Sequence, residues 1–158
     1  MNVLKIQQDA LKALIKEPKT IGTYPLEDEQ GTPCTFLTIN RAAGYIIPNH
    51  LLLVDLTGAQ TMFDLELAKL VRPENLLTGT DDYRLGGTAR RYEKTDTVLD
   101  DVYIKTELLK YFDLPQLYQD LDSPRGMIAV TETDPGDGRP VLAGLVMPCK
   151  VDTDDKDE

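Results

Sequence analysis

The 158 residues predict an α+β domain of two strand-helix-strand repeats, with helices packed on one face of an antiparallel sheet. Three observations predict it. Ile6, Asp9, Leu11 and Lys12 return in register as Ile104, Glu107, Leu109 and Lys110. The phrase Gly44-Tyr45-Ile46-Ile47-Pro48 returns as Gly144-Leu145-Val146-Met147-Pro148, a glycine, three apolar residues and a proline. Each segment read as a helix carries a single apolar stripe, which needs one packing surface and no more. One repeat covers about residues 1–56 plus an extension and the other 102–151, within one domain spanning 1–151. Residues 152–158 read as a disordered acidic tail.

Taken in order, residues 3–6 read as a short strand. Asp9 then favours the start of a helix to about residue 17, where Pro18 stops it. Leu11, Leu14 and Ile15 form its apolar stripe at i, i+3 and i+4, with Lys12, Lys16 and Lys19 on the opposite side. Residues 20–33, with their prolines, glycines and the acidic Glu27-Asp28-Glu29, read as a loop. Residues 35–39 and 45–47 are β-rich and read as a hairpin joined across 40–44. Residues 51–56 are a third strand candidate. Residues 57–100 read as the remainder of the first repeat plus a crossover. Within them, 61–70 has helical spacing at Phe63, Leu67 and Leu70, 78–88 is polar and glycine-rich, and 89–97 reads as an exposed strand.

The second repeat opens with a strand at 102–105. Thr106 is an N-cap candidate for a helix over 107–113, with Leu108, Leu109 and Phe112 facing inward. Residues 116–126 connect it to a strand over 126–131. The cluster Thr133-Asp134-Pro135-Gly136-Asp137-Gly138 is a turn, answered by a return strand at 141–146.

Composition narrows the classes of function. The formal charge is −10, of which residues 152–158 carry −4 through five acids against Lys156, leaving −6 on the body. Such a balance disfavours indiscriminate nucleic-acid binding but allows a local basic face. Cys34 and Cys149 lie in no metal-ligand spacing and read as reduced and buried. No leader-like segment opens the sequence and no apolar run is long enough to cross a bilayer, so a cytoplasmic protein without membrane contact is expected.

Three stretches carry a family resemblance. Met1-Asn2-Val3-Leu4-Lys5-Ile6 followed by Asp9-Ala10-Leu11-Lys12-Ala13-Leu14, then Val102-Tyr103-Ile104-Lys105-Thr106-Glu107-Leu108-Leu109-Lys110, look like the strand-helix openings of a clamp domain's two halves. Val146-Met147-Pro148-Cys149-Lys150-Val151 is similar to the closing phrase of the family. Together they resemble one domain of the bacterial DNA polymerase III beta sliding clamp. The resemblance covers roughly a third of the chain. It implies a clamp-like fold and a non-enzymatic accessory role in DNA replication or mobile-element biology, binding DNA backbone or clamp partners. The alternative is a protein-interaction module that keeps the fold without touching DNA. A clamp-like chain of one domain also implies self-assembly into a homo-oligomer.

Lys12, Lys16, Lys19 and Lys110 are the candidate DNA contacts, because clamps present lysines to phosphates at helical spacing without reading bases. A plain solvated helix face is the other reading of the same pattern. Arg84, Arg90, Arg91 and Lys94 around Gly86-Gly87 could cradle a phosphate, although an ordinary exposed loop fits them better. By the resemblance, Met147, Pro148 and Val151 form a groove for linear peptides of partner proteins; the residues themselves equally describe a core strand ended by proline. His50 is the sole histidine and has no second base beside it, and the pairs Asp81-Asp82 and Asp100-Asp101 read as solvated turns. No catalytic constellation and no cofactor are expected.

Overall fold

Asn2 decides how the chain begins. Its side-chain oxygen accepts the Lys5 backbone N–H at 3.2 Å, which caps a helix at the point where residues 3–6 were expected to form a strand. The single α-helix of the described residues, α1, therefore spans Val3–Lys16 and ends with the Glu17 N–H on the Ala13 carbonyl, just before Pro18. The computed structural model describes residues 1–56, 60–61, 66–94, 102–120, 123 and 126–151. The expected tail 152–158 and the pair Asp100-Asp101 lie outside them, as do parts of the expected elements at 61–70 and 89–97.

Among the described residues ten strands accompany the helix: β1 (Ile21–Glu27), β2 (Pro33–Ile39), β3 (Ala43–Pro48), β4 (Gln60–Thr61), β5 (Leu77–Arg84), β6 (Ala89–Lys94), β7 (Val102–Lys105), β8 (Gln116–Gln119), β9 (Ile128–Thr133) and β10 (Pro140–Val146). They form a seven-stranded sheet in the order β4-β1-β2-β3-β10-β9-β8 and a three-stranded sheet in the order β5-β6-β7. All pairs are antiparallel except β1 with β4. The protein is mostly β, so the expected clamp-like α+β arrangement, with two helices on one face of a sheet, is not what the chain forms.

Physical reasons for the difference are local. The segment expected to be a second helix is one 3-10 turn, Thr106–Leu109. Thr106 spends its N–H and its hydroxyl on the Thr88 carbonyl, at 2.9 and 3.3 Å, so it caps nothing. Pro115 disfavours helical geometry at Leu114, which sits at φ +42°. Seven residues are also too few for a helix to stand on its own propensity. Leu11 and Leu109 consequently hold dissimilar places: Leu11 is 40% exposed on a four-turn helix, whereas Leu109 is half-buried in a single turn. Residues 20–33, expected as a loop, contain β1, and the polar, glycine-rich stretch 78–88 holds all of β5 but Leu77; residues 51–56, expected as a strand, begin inside a 3-10 turn at Asn49–Leu51 and form no strand. Leu67–Leu70 is likewise a 3-10 turn.

The two glycine phrases meet at the centre of the large sheet. In the antiparallel β3/β10 pair, Tyr45 lies opposite Gly144 and Gly44 opposite Leu145. A Cβ at Gly144 would strike the carbonyl oxygen of Gly44, and one at Gly44 would strike the Phe36 ring. Backbones approach too closely here for any side chain.

Alternation puts two clusters on opposite faces of this sheet. Leu37, Tyr45, Ile47, Val130 and Val146 face Ile6 and Ala10 of α1 together with Val102 and Ile104 of β7. Phe36, Ile46, Ala129 and Leu145 face Leu67 and its turn. The two sheets are joined by bridges between Leu76 and Tyr118 and between Tyr103 and Cys149. The helix buries Ile6, Gln7 and Ala10, with Val3 and Leu14 packed beside them; of the expected stripe Leu11, Leu14 and Ile15, Leu14 packs on the core while Leu11 and Ile15 face solvent.

Candidate binding surface on the helix

At about 100° per residue, Leu4, Leu11 and Ile15 share a sector of the α1 surface about 40° wide, and Lys5, Lys12 and Lys16 share the next one. Both sectors point to solvent, because the helix is held to the sheet through its Ile6/Ala10 side. The lysine sector runs toward the tip of the β2–β3 hairpin. That tip is the three-residue connection 40–42, in which Asn40 and Arg41 sit at φ +56° and +57°, with the Ala42 N–H on the Ile39 carbonyl. The Asn40 N–H donates to the Thr20 carbonyl at 2.9 Å and fixes the hairpin against the α1–β1 junction.

Four cations from three elements are thereby gathered: Lys12 and Lys16 of α1, Lys19 of the Pro18–Thr20 turn, and Arg41. They border two adjoining clefts of about 400 and 270 Å³ that share Glu17, Thr20 and Asn40. All four are exposed, and none takes part in an ion pair with another described residue. Two acids, Asp9 and Glu17, line the same clefts; the Tyr111 hydroxyl donates to Asp9. Lys110 reaches this region through that tyrosine, standing 4.9 Å over its ring. It is also ion-paired with Glu107 at 3.3 Å, and this hydrogen bond raises its pKa. Lys110 is thus committed where Lys12, Lys16 and Lys19 are not.

The other basic cluster is consumed internally. Arg84 and Arg91 converge on Asp82 at 2.9 and 3.1 Å, and Arg91 also meets Glu93 at 2.9 Å. Their hydrogen bonds, that of Arg84 first, hold the Asp82 carboxyl below the ordinary carboxylate range. Arg90 donates to the Thr80 carbonyl at 2.7 Å and lies between the Tyr83 and Tyr92 rings, while buried Lys94 donates to the Asp120 carbonyl. These residues stiffen the small sheet.

Met147 packs against the second cluster, and its N–H donates to the Ala42 carbonyl at 2.9 Å; Pro148 and Val151 are half-buried around Cys149, whose N–H donates to the Tyr103 carbonyl. This closing segment ties the two sheets together. A separate apolar depression of about 330 Å³ lies on the far face among Tyr24, Phe36, Ile46 and Leu67. His50 is exposed on its turn. Among the described residues no group of three or more His, Cys, Asp or Glu is placed to hold a metal ion, and no helix is long and apolar enough to cross a membrane.

Comparison with family models, with curated proteins and with solved structures returned no match. Nothing in them identifies the chain as a sliding clamp.

Arg41 is the member of the cluster that sequence reasoning missed. The hairpin connection was legible, but its proximity to α1 depends on the tertiary Asn40–Thr20 hydrogen bond.

Proposed function

We propose that this chain is a non-enzymatic protein that holds the phosphate backbone of DNA through the cationic cleft between α1 and the β2–β3 turn. One observation carries the reading. In a protein of net charge −10, four cations from three elements are brought together, none ion-paired with another described residue and only Asp9 and Glu17 lining the same clefts, while Arg84 and Arg91 are ion-paired with Asp82. Assembling like charges costs energy, which a polyanion laid across them offsets. Lys and Arg on a helix and a turn suit phosphates rather than base edges, so binding is expected without sequence preference. Duplex DNA, with one phosphate charge per about 1.7 Å of its axis, is the first polyanion to test.

Fluorescence anisotropy of a labelled duplex tests it. Wild-type protein binds with an affinity that falls steeply with salt, and the double variant Lys12→Glu/Arg41→Glu does not bind. Salt-independent binding, or equal binding by the variant, removes the reading.

The second reading, a protein-interaction module without DNA contact, is favoured by the apolar sector of α1. Leu4, Leu11 and Ile15 are 57%, 40% and 75% exposed, and a phosphate backbone has no use for them.

A further inference from the structure

The apolar sector of α1 does not stand alone. Gln7 is almost wholly buried, and both ends of its amide are committed to the segment after β3: the NH2 donates to the Leu51 carbonyl at 2.8 Å, and the oxygen accepts the Leu53 N–H. Leu4 and Leu11 are the i−3 and i+4 neighbours of Gln7 on the helix surface, so the strap 51–53 is fastened at the border of the apolar sector. Leu51 and Leu53 are 42% and 77% exposed. Three solvent-facing aliphatic side chains thus line this sector of α1 and two more stand on the strap that Gln7 holds to the helix, where folded monomers usually scatter such residues singly.

From this placement we infer that α1 and the strap form a docking groove for an amphipathic helix of another protein that carries acidic residues along one flank. Length and charge both select this occupant. From Leu4 to Ile15 the groove runs about 16 Å, which three turns of helix span with apolar anchors at i, i+3 or i+4, and i+7. On one side only, the groove is edged by Lys5, Lys12 and Lys16, none ion-paired with another described residue. Carboxylates on the matching flank of the incoming helix complement that edge. A second copy fits less well, because antiparallel pairing of two α1 helices about a dyad places both lysine edges on the same side. The groove stands on its apolar residues and does not depend on DNA being bound.

The probe is a labelled synthetic helix with leucines at heptad spacing and glutamates along one flank, titrated into the full chain by fluorescence anisotropy. Its twin carries lysines in place of the glutamates. Saturable binding of the acidic peptide is expected, weaker by at least about tenfold for the lysine twin and for the double variant Leu11→Gln/Ile15→Gln. That variant keeps the wild-type melting curve, since both side chains already face solvent, and it keeps DNA affinity. Conversely, Lys19→Glu/Arg41→Glu abolishes DNA binding and leaves the peptide affinity within about twofold, so the two readings fail separately. Equal binding of the twins, binding insensitive to Leu11 and Ile15, or no binding of the acidic peptide overturns the inference. So does a dimer in sedimentation equilibrium that Leu11→Gln/Ile15→Gln dissolves, which would make a second copy the occupant.

Discussion

Salt dependence gives the sharpest test of the cationic cleft, because it counts phosphate contacts rather than merely detecting charge. Each phosphate neutralised on a duplex contributes about −0.9 to the slope of log K against log salt. Lys12, Lys16, Lys19 and Arg41 therefore give a slope of about −3.6, and raising salt from 50 to 200 mM lowers affinity ~150-fold. Replacing Lys16 by Gln removes one contact; the slope becomes about −2.7 and the same salt step costs ~40-fold. Lys69, ion-paired with Glu66 at 2.6 Å on the far side of the large sheet, is the control. Lys69→Gln changes net charge equally and leaves the slope at the wild-type value. The assay is anisotropy of a labelled duplex at four or five salt concentrations. Equal slopes for Lys16→Gln and wild type, or equal losses from Lys16→Gln and Lys69→Gln, would show that overall charge, not this cleft, governs binding.

Three further outcomes follow from the packing. Gly144→Ala drives a methyl group into the Gly44 carbonyl across the β3/β10 pair, and urea denaturation should show a loss of about 3 kcal/mol or an unfolded protein. Arg41→Gly relieves a left-handed backbone position, so melting shows equal or slightly greater stability, up to about 1 kcal/mol, while the same change deletes one DNA contact and weakens binding. Asp82 contributes stability fully present above its ordinary pKa of 3.8 and lost as pH falls through its lower folded-state value; the melting temperatures of wild type and Asp82→Asn, separate at pH 7, converge in acid below that range. A constant gap between the two at every pH would contradict the assigned role of Arg84 and Arg91.

Local chemistry was legible where it decided the outcome by itself. The turn at 133–138 forms as the sequence implies, with the Gly136 N–H on the Asp134 side chain at 2.7 Å and Gly138 at φ +74°. The hairpin of β2 and β3, and the strand at Val102–Lys105, were equally readable from β-branched and aromatic runs. Elsewhere tertiary partners overrode the local signal. Ile21 and Tyr24 were hidden in a stretch that looked like a loop, because Pro25 suggested a break, yet β1 pairs along its whole length with β2. In β5 the polar Thr80 and Asp82 looked loop-like; their side chains are instead spent on the Arg91 carbonyl and on two guanidinium groups. The α1 stripe was read with one residue of three right: Leu14 packs on the core, but its companions there are Val3, Ile6 and Ala10 rather than Leu11 and Ile15, because that set is the one opposite the sheet. The lysines of the candidate surface were visible as a pattern, whereas Arg41 joined them only through the hydrogen bond of its neighbour Asn40 to Thr20.

The central seam imposes an order on folding. Each flanking meander, β1-β2-β3 and β8-β9-β10, needs only short loops to close, and such events are fast. Joining β3 to β10 closes a loop that contains the whole small sheet, an entropic cost that no local contact repays. The two meanders are therefore expected to gain structure early and independently, and the slow step to be their zippering along a line where Tyr45 must find Gly144 and Leu145 must find Gly44.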